Sequence, residues 1–319
     1  MTVNAKMRIA ILDDYQGVAL TSADWSRVTS RAEVVVFTDH LDGEDALVDR
    51  LQSFDVLCVM RERTPLPRGL IERLPNLKLI ASTGPVNASI DVAAAHARGI
   101  EIAHTGYRST PTIEFAWSMI LASVRNIAQE SASLRSGGWQ VGVGEDLRGK
   151  VLGLVGLGNI GSEVARIGKA FGMQVQAWSQ NLTAEKAEAI GATLATKDEL
   201  FSSSDVISVH LVLSHRTRGL IGAREFALMK STAHFVNTSR GPIVAEQDLI
   251  DALRRGAIAG AAVDVYEQEP LPLDHPFRTL PNLLATPHIG YVTKGLYETF
   301  YADTVANIVR WLDAQGGRR

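Results

Sequence analysis

Short apolar runs alternate with helically spaced ones along nearly the whole chain. Residues 7–12, 33–37, 54–60, 77–81 and 100–103 have the length and apolar, often β-branched content of buried strands. Between them, residues 44–51 and 92–98 carry apolar side chains at helical spacing, and Leu70, Ile71 and Leu74 follow Pro67, a residue suited to opening a helix. The alternation resumes further on, with strands predicted at 151–155, 174–178, 206–211, 234–238, 258–264 and 283–285. Helices are predicted at 162–171, 184–190, 224–229 and 246–255. Strand and helix in strict turn predict parallel sheets covered by helices, an α/β protein. Between the two patterns a helical one opens at Pro111 and runs to about Arg135. It suits a connector between two domains or one more helix over a sheet. A last helix is predicted at 294–312, and Arg318 and Arg319 form a short polar tail.

Composition narrows the class. The 319 residues are 46% hydrophobic and 21% charged, and the net charge is 32 − 35 = −3. Two domains with ordinary cores fit in that length. A near-neutral chain offers no broad nucleic-acid surface, and the longest apolar stretch, 115–124, is too short to span a bilayer. The apolar start ends at Asp13 and Asp14, too soon for a signal peptide. A cytoplasmic protein is expected. Cys58, the only cysteine, lies among Val56, Leu57, Val59 and Met60 and reads as a buried strand residue.

The densest chemistry lies in 151–179. A buried-strand pattern runs straight into Gly156-Leu157-Gly158-Asn159-Ile160-Gly161, then a helix, then a second strand. In that context each glycine has a reason. Gly156 allows the tight turn, Gly158 lets a pyrophosphate approach the backbone, and Gly161 lets helix and sheet pack closely. The helix N-terminus offers free N–H groups to phosphates. One residue departs from the usual pattern. Ser179 stands where an NAD site usually has an acid for the ribose hydroxyls, and no Arg or Lys follows before Lys186. NAD or NADP is expected, with the preference open.

Three further segments end predicted strands, where open α/β sheets hold ligands. They are Val236-Asn237-Thr238-Ser239-Arg240-Gly241, Asp264-Val265-Tyr266-Glu267-Gln268-Glu269-Pro270 and Thr286-Pro287-His288-Ile289-Gly290. Arg240 can bind a carboxylate with its forked guanidinium, His288 can donate a proton, and Glu269 can stabilise its imidazolium form. With the glycine loop upstream, these motifs resemble the D-isomer-specific 2-hydroxyacid dehydrogenases, over almost the whole chain. The resemblance implies hydride transfer between a nicotinamide cofactor and a small 2-keto or 2-hydroxy acid. It makes Arg240, Glu269 and His288 the catalytic residues; Glu269, which directly precedes the proline, is preferred to Glu267. It also implies that Gly84, Pro85 and Val86, with Arg240, bind substrate. Thr83, Gly156, Gly158, Asn159, Ile160, Gly161, Ser179, Leu211, Thr238 and Asp264 would line the cofactor site.

The same resemblance implies a Rossmann cofactor domain (105–289) inserted into a flavodoxin-like substrate domain (1–104 plus 290–319), a homodimer, and no metal. The chain is expected to carry no appended regulatory domain. Tyr291, where relatives have a small residue, is expected to narrow the pocket mouth. The other seven histidines (His40, His96, His104, His210, His215, His234 and His275) lack a comparable setting and read as surface or core residues. Two other readings remain. Relatives that act as nucleotide-sensing corepressors keep the triad, and formate-oxidising relatives carry Gln where Glu269 stands.

Overall fold

A computed structural model describes residues 6–316; the predicted tail, Arg318 and Arg319, lies outside them. The chain divides into two compact units. One holds residues through Arg108 and from Val292 onward, the other Ser109–Tyr291.

The first unit is a five-stranded parallel sheet of β1 (Met7–Ile11), β2 (Ala32–Val36), β3 (Val56–Val59), β4 (Leu79–Ser82) and β5 (Glu101–His104). The spatial order is β2-β1-β3-β4-β5, the flavodoxin-type doubly wound order. Helices α1 (Ser26–Thr29), α2 (Glu44–Leu51), α3 (Arg68–Glu72) and α4 (Val92–Ala97) connect the strands. Leu47 and Leu51 of α2, Leu70 and Ile71 of α3, and Ala94 and Ala95 of α4 close one core over the central strands. Every β3 and β4 residue is buried, which is why those strands read as unbroken apolar runs. Cys58 is buried there, and desolvation pushes its thiol up to about 12, so it is an inert core residue.

The second unit builds a seven-stranded parallel sheet. Its strands are β6 (Val151–Val155), β7 (Gln174–Trp178), β8 (Thr193–Leu194), β9 (Val206–Val209), β10 (His234–Asn237), β11 (Gly260–Val263) and β12 (Leu283–Ala285). The order β12-β11-β10-β9-β6-β7-β8 reverses direction between β6 and β9. In such sheets the crevice at that switch point holds the ligand. Helices α5 (Thr110–Val124) and α6 (Ile127–Arg135) precede the sheet; α7 (Asn159–Ala170), α8 (Ala184–Glu188), α9 (Lys197–Ser203), α10 (Ala223–Leu228) and α11 (Glu246–Arg254) alternate with its strands. The last helix, α12 (Lys294–Gly316), returns to the first unit and packs on β4 and β5.

The structure departs from the sequence expectations at several points and decides one that was open. The helical pattern of 111–135 is two helices: Asn126 takes a left-handed conformation (φ 53°), one that Asn tolerates, and starts α6 anew. Of the two roles open to it, α5 covers the second unit's own sheet, packing on β10, β11 and β12, while α6 buries none of its residues. Helix α9 was not expected, although Thr196 and Glu199 form a reciprocal capping box at its start.

Candidate active site

The glycine turn follows β6 at the switch point. Gly156 has φ 105°, and a Cβ there would lie 2.5 Å from the carbonyl oxygen of His210, at the exit of β9. A Cβ on Gly161 would collide with the Gly156 carbonyl, so only glycine lets α7 enter this close. Gly158 is different: a Cβ there would meet no protein atom within 4 Å. Gly158 is the N-cap of the twelve-residue helix α7 and has no side chain to satisfy that helix's first N–H groups, which leaves them to a ligand. These features fit a pyrophosphate. Thr238, which follows β10, has a buried hydroxyl with no hydrogen-bond partner. Leu211 follows β9, partly buried against the core, and Ser179 follows β7. Asn159 is exposed and Ile160 half-buried in the first turn of α7.

Arg240 leaves β10 in a turn braced by buried Asn237. The Asn237 side chain donates to the Arg240 carbonyl (3.0 Å) and accepts the Ser239 N–H (3.0 Å). Ser239 ties the turn to β9 by donating to Val209 O (2.8 Å). Arg240 itself donates to the Ser239 carbonyl at 2.8 Å.

Glu269 and His288 meet, 19 residues apart in sequence. His288 Nδ1 lies 2.6 Å from Glu269 Oε2. The other carboxylate oxygen accepts the Tyr266 N–H at 3.0 Å. Burial alone would raise the Glu269 carboxyl. The hydrogen bond and then the charge of His288, with the Tyr266 N–H and Arg240, hold it below the usual carboxylate range. Its competitor, Glu267, instead pairs with Arg218 at 2.8 Å.

The His288 backbone is strained, with φ 51°. Buried Asp264, at the exit of β11, holds it. One of its oxygens accepts Thr286 Oγ1 (2.6 Å) and Ile289 N–H (2.9 Å); the other accepts Gly290 N–H (2.8 Å). Burial pushes the Asp264 carboxyl up despite those bonds. Tyr291 is buried and packs edge-on against His288, with ring centroids 5.5 Å apart. In the first unit, Gly84 (φ 83°) donates its N–H to Thr105 Oγ1 (2.8 Å). Thr83 Oγ1 accepts the Arg61 N–H (2.8 Å), Pro85 is exposed and Val86 is 68% exposed. Among the described residues, no group of three or more His, Cys, Asp or Glu is arranged to hold a metal ion.

A family profile described as D-isomer specific 2-hydroxyacid dehydrogenase, NAD binding domain, matches residues 117–290. The chain belongs to the D-isomer specific 2-hydroxyacid dehydrogenases. The dehydrogenase is 40% identical to a glyoxylate reductase of Aeropyrum pernix, over 70% of each chain. It is 37% identical to a D-3-phosphoglycerate dehydrogenase of Methanocaldococcus jannaschii over 84% of its own length, but spans only 52% of that relative. A crystal structure of a phosphoglycerate oxidoreductase from Vibrio cholerae superposes with a TM-score of 0.91 at 38% identity, covering 97% of this chain and 99% of that one. The family makes it an oxidoreductase of CH–OH donors with a nicotinamide-binding domain.

Two histidines of the dehydrogenase have carboxylate partners that sequence spacing did not reveal. His275 lies 2.9 Å from Glu246, and His40 lies 2.9 Å from Asp13 and 3.2 Å from Asp42. The bond to Asp13 raises His40 above the ordinary histidine value. Sequence reasoning also missed the roles of Asn237, which braces its own turn, and of Tyr266, whose hydroxyl reaches Thr286 at the exit of β12.

Proposed function

We propose that the protein reduces a small 2-keto acid to the 2-hydroxy acid, or runs the reverse, with Arg240, Glu269 and His288 as its catalytic residues. The observation that carries this reading is the 2.6 Å pair of His288 and Glu269 beside the strained His288 backbone, in the same unit as the glycine turn. Arg240 binds the substrate carboxylate and polarises the keto oxygen. Glu269 holds Nδ1 of His288, which leaves Nε2 to give its proton to that oxygen as the carbonyl is reduced, and to take it back in oxidation. Bound nicotinamide supplies the hydride. Gly156, Gly158, Asn159, Ile160 and Gly161 would hold its pyrophosphate, Ser179 the ribose, and Leu211, Thr238 and Asp264 the remainder, with Thr83 near the cofactor. Gly84, Pro85 and Val86 would form the turn that receives the substrate carboxylate, with Val86 offering its backbone N–H, since the Gly84 N–H is held by Thr105 and Pro85 has none.

The segment 109–291 is accordingly the cofactor domain and the other unit the substrate domain. We also place the protein in the cytoplasm as a homodimer. Among the described residues no helix is long and apolar enough to cross a membrane. Ile127, Leu134, Trp139, Val141 and Val143 are all exposed within one short segment, the kind of surface a second copy covers. The test is a turnover screen of glyoxylate, hydroxypyruvate, pyruvate and 3-phosphohydroxypyruvate with NADH and with NADPH, followed by reduced-nicotinamide absorbance. Turnover of none of them, with the cofactor bound, would favour the corepressor-like reading.

A further inference from the structure

Tyr266 touches all three loops that carry the proposed catalytic residues. Its N–H donates to Glu269 Oε1 (3.0 Å). Its hydroxyl donates to the Thr286 carbonyl (2.6 Å), two residues before His288. Its backbone lies so close to Gly241, the residue after Arg240, that a Cβ on Gly241 would collide with it. The ring is buried and packs against Phe277, with centroids 6.1 Å apart.

We infer that Tyr266 is a positioning residue that sets Arg240, Glu269 and His288 in register; this rests on the roles proposed above. Glu269 and the turn before His288 hang on opposite ends of one residue, a backbone N–H and a phenolic oxygen. The span between them is rigid, because the ring has few rotatable bonds and is packed on its apolar side. Asp264 holds the far side of the His288 turn through Ile289 and Gly290 and the Thr286 side chain before it, and the Tyr266 hydroxyl holds the Thr286 backbone on the near side. Arg240 is set by exclusion: Gly241 has no side chain, so the Arg240 turn seats against the Tyr266 backbone. Burial pushes the Tyr266 hydroxyl above the usual phenol range, so it stays a hydrogen-bond donor throughout the working pH range.

Tyr266→Phe removes the hydroxyl and keeps the ring and backbone contacts. With a keto acid that the wild type reduces, kcat should fall about tenfold, the scale expected when a proton donor drifts by a fraction of an ångström. The KM for the keto acid and the Kd for the cofactor should stay within about twofold, because Arg240 and the glycine turn are undisturbed. The solvent isotope effect on kcat should rise as proton transfer from His288 becomes limiting. Tyr266→Leu, which also removes the ring, should raise KM as well. A Tyr266→Phe enzyme with wild-type kcat and isotope effect overturns the inference, even if its unfolding temperature falls. Absence of turnover in the wild type would overturn the proposed function instead.

Discussion

His210 offers a quantitative test of how the glycine turn is supported. It leaves β9 beneath that turn, with its N–H on Val155 O (2.8 Å) and Nε2 2.9 Å from the hydroxyl of buried Ser208. Desolvation lowers its imidazole from 6.5 to about 4. An unfolded chain takes up a proton near pH 6.5 that folded His210 refuses, so the unfolded state binds more protons on acidification. The stability tied to neutral His210 is therefore complete above that pH and drains away as pH falls toward 4. For the full shift, going from pH 7 to pH 5 costs about 2 kcal/mol. The residue is partly open to solvent, and screening there reduces the expected cost to ~1 kcal/mol.

The comparison to make is wild type against His210→Asn, without cofactor. Hydrogen-exchange protection of β6, β9 and β10 amides, corrected for intrinsic rates, reports the opening of this sheet alone. The packing cost of the substitution is present at both pH values and cancels. The wild type should lose ~1 kcal/mol more than the variant between pH 7 and pH 5. Equal losses would show that His210 titrates as it does in an unfolded chain, and that burial beside the glycine turn does not hold its imidazole neutral.

Arg240→Ala should weaken keto acid KM and kcat together, because the contact proposed for it with the substrate carboxylate would persist into the transition state; unchanged constants would remove it from the site. His288→Ala should lose roughly 10²–10⁴-fold in kcat with cofactor affinity retained, checked by steady-state rates alongside NADH fluorescence titration. Ser179→Asp should shift the ratio of specificity constants toward NADH by adding a ribose acceptor and a like charge facing a 2′-phosphate. A wild type already more than about a hundredfold selective for NADH, and unmoved by the Asp, would place ribose recognition elsewhere. Gly161→Ala should weaken cofactor binding by pushing the Gly156 carbonyl out of place, and calorimetry with NADH would measure it.

The turn after β6 was legible because its demands are local: a strand, three glycines at fixed spacing and a helix start all lie in consecutive residues. Predicted strands 151–155 and 174–178 accordingly match β6 and β7 to the residue. The break at Asn126 was not legible, since apolar spacing runs through it and one left-handed residue leaves no periodic trace. Helix α9 could have been read from Thr196 and Glu199; its apolar content is small and the cap was the stronger signal. Within the site, residue types and order pointed to Arg240, Glu269 and His288. The bonds that hold His288 did not show, because Asp264 and Tyr266 act across loops that only parallel strand pairing brings together. The pairing of His40 with Asp13 is hidden for the same reason, the two lying at the exits of neighbouring strands β1 and β2.

The first unit is sewn from both ends of the described chain. Asn307 of α12 donates to His104 O at 2.9 Å, and Asp303 accepts the Gly106 N–H at 2.8 Å. On a ribosome this imposes an order. The stretch from Ser109 to Tyr291 is continuous, so it can close its sheet while synthesis continues. The strands made before that stretch must wait for the helix made after it, with the β4 and β5 surface that α12 covers still bare. During that interval the nascent protein carries a closed second unit together with an unsealed first one, and chaperone contact would concentrate on the strands still waiting for α12.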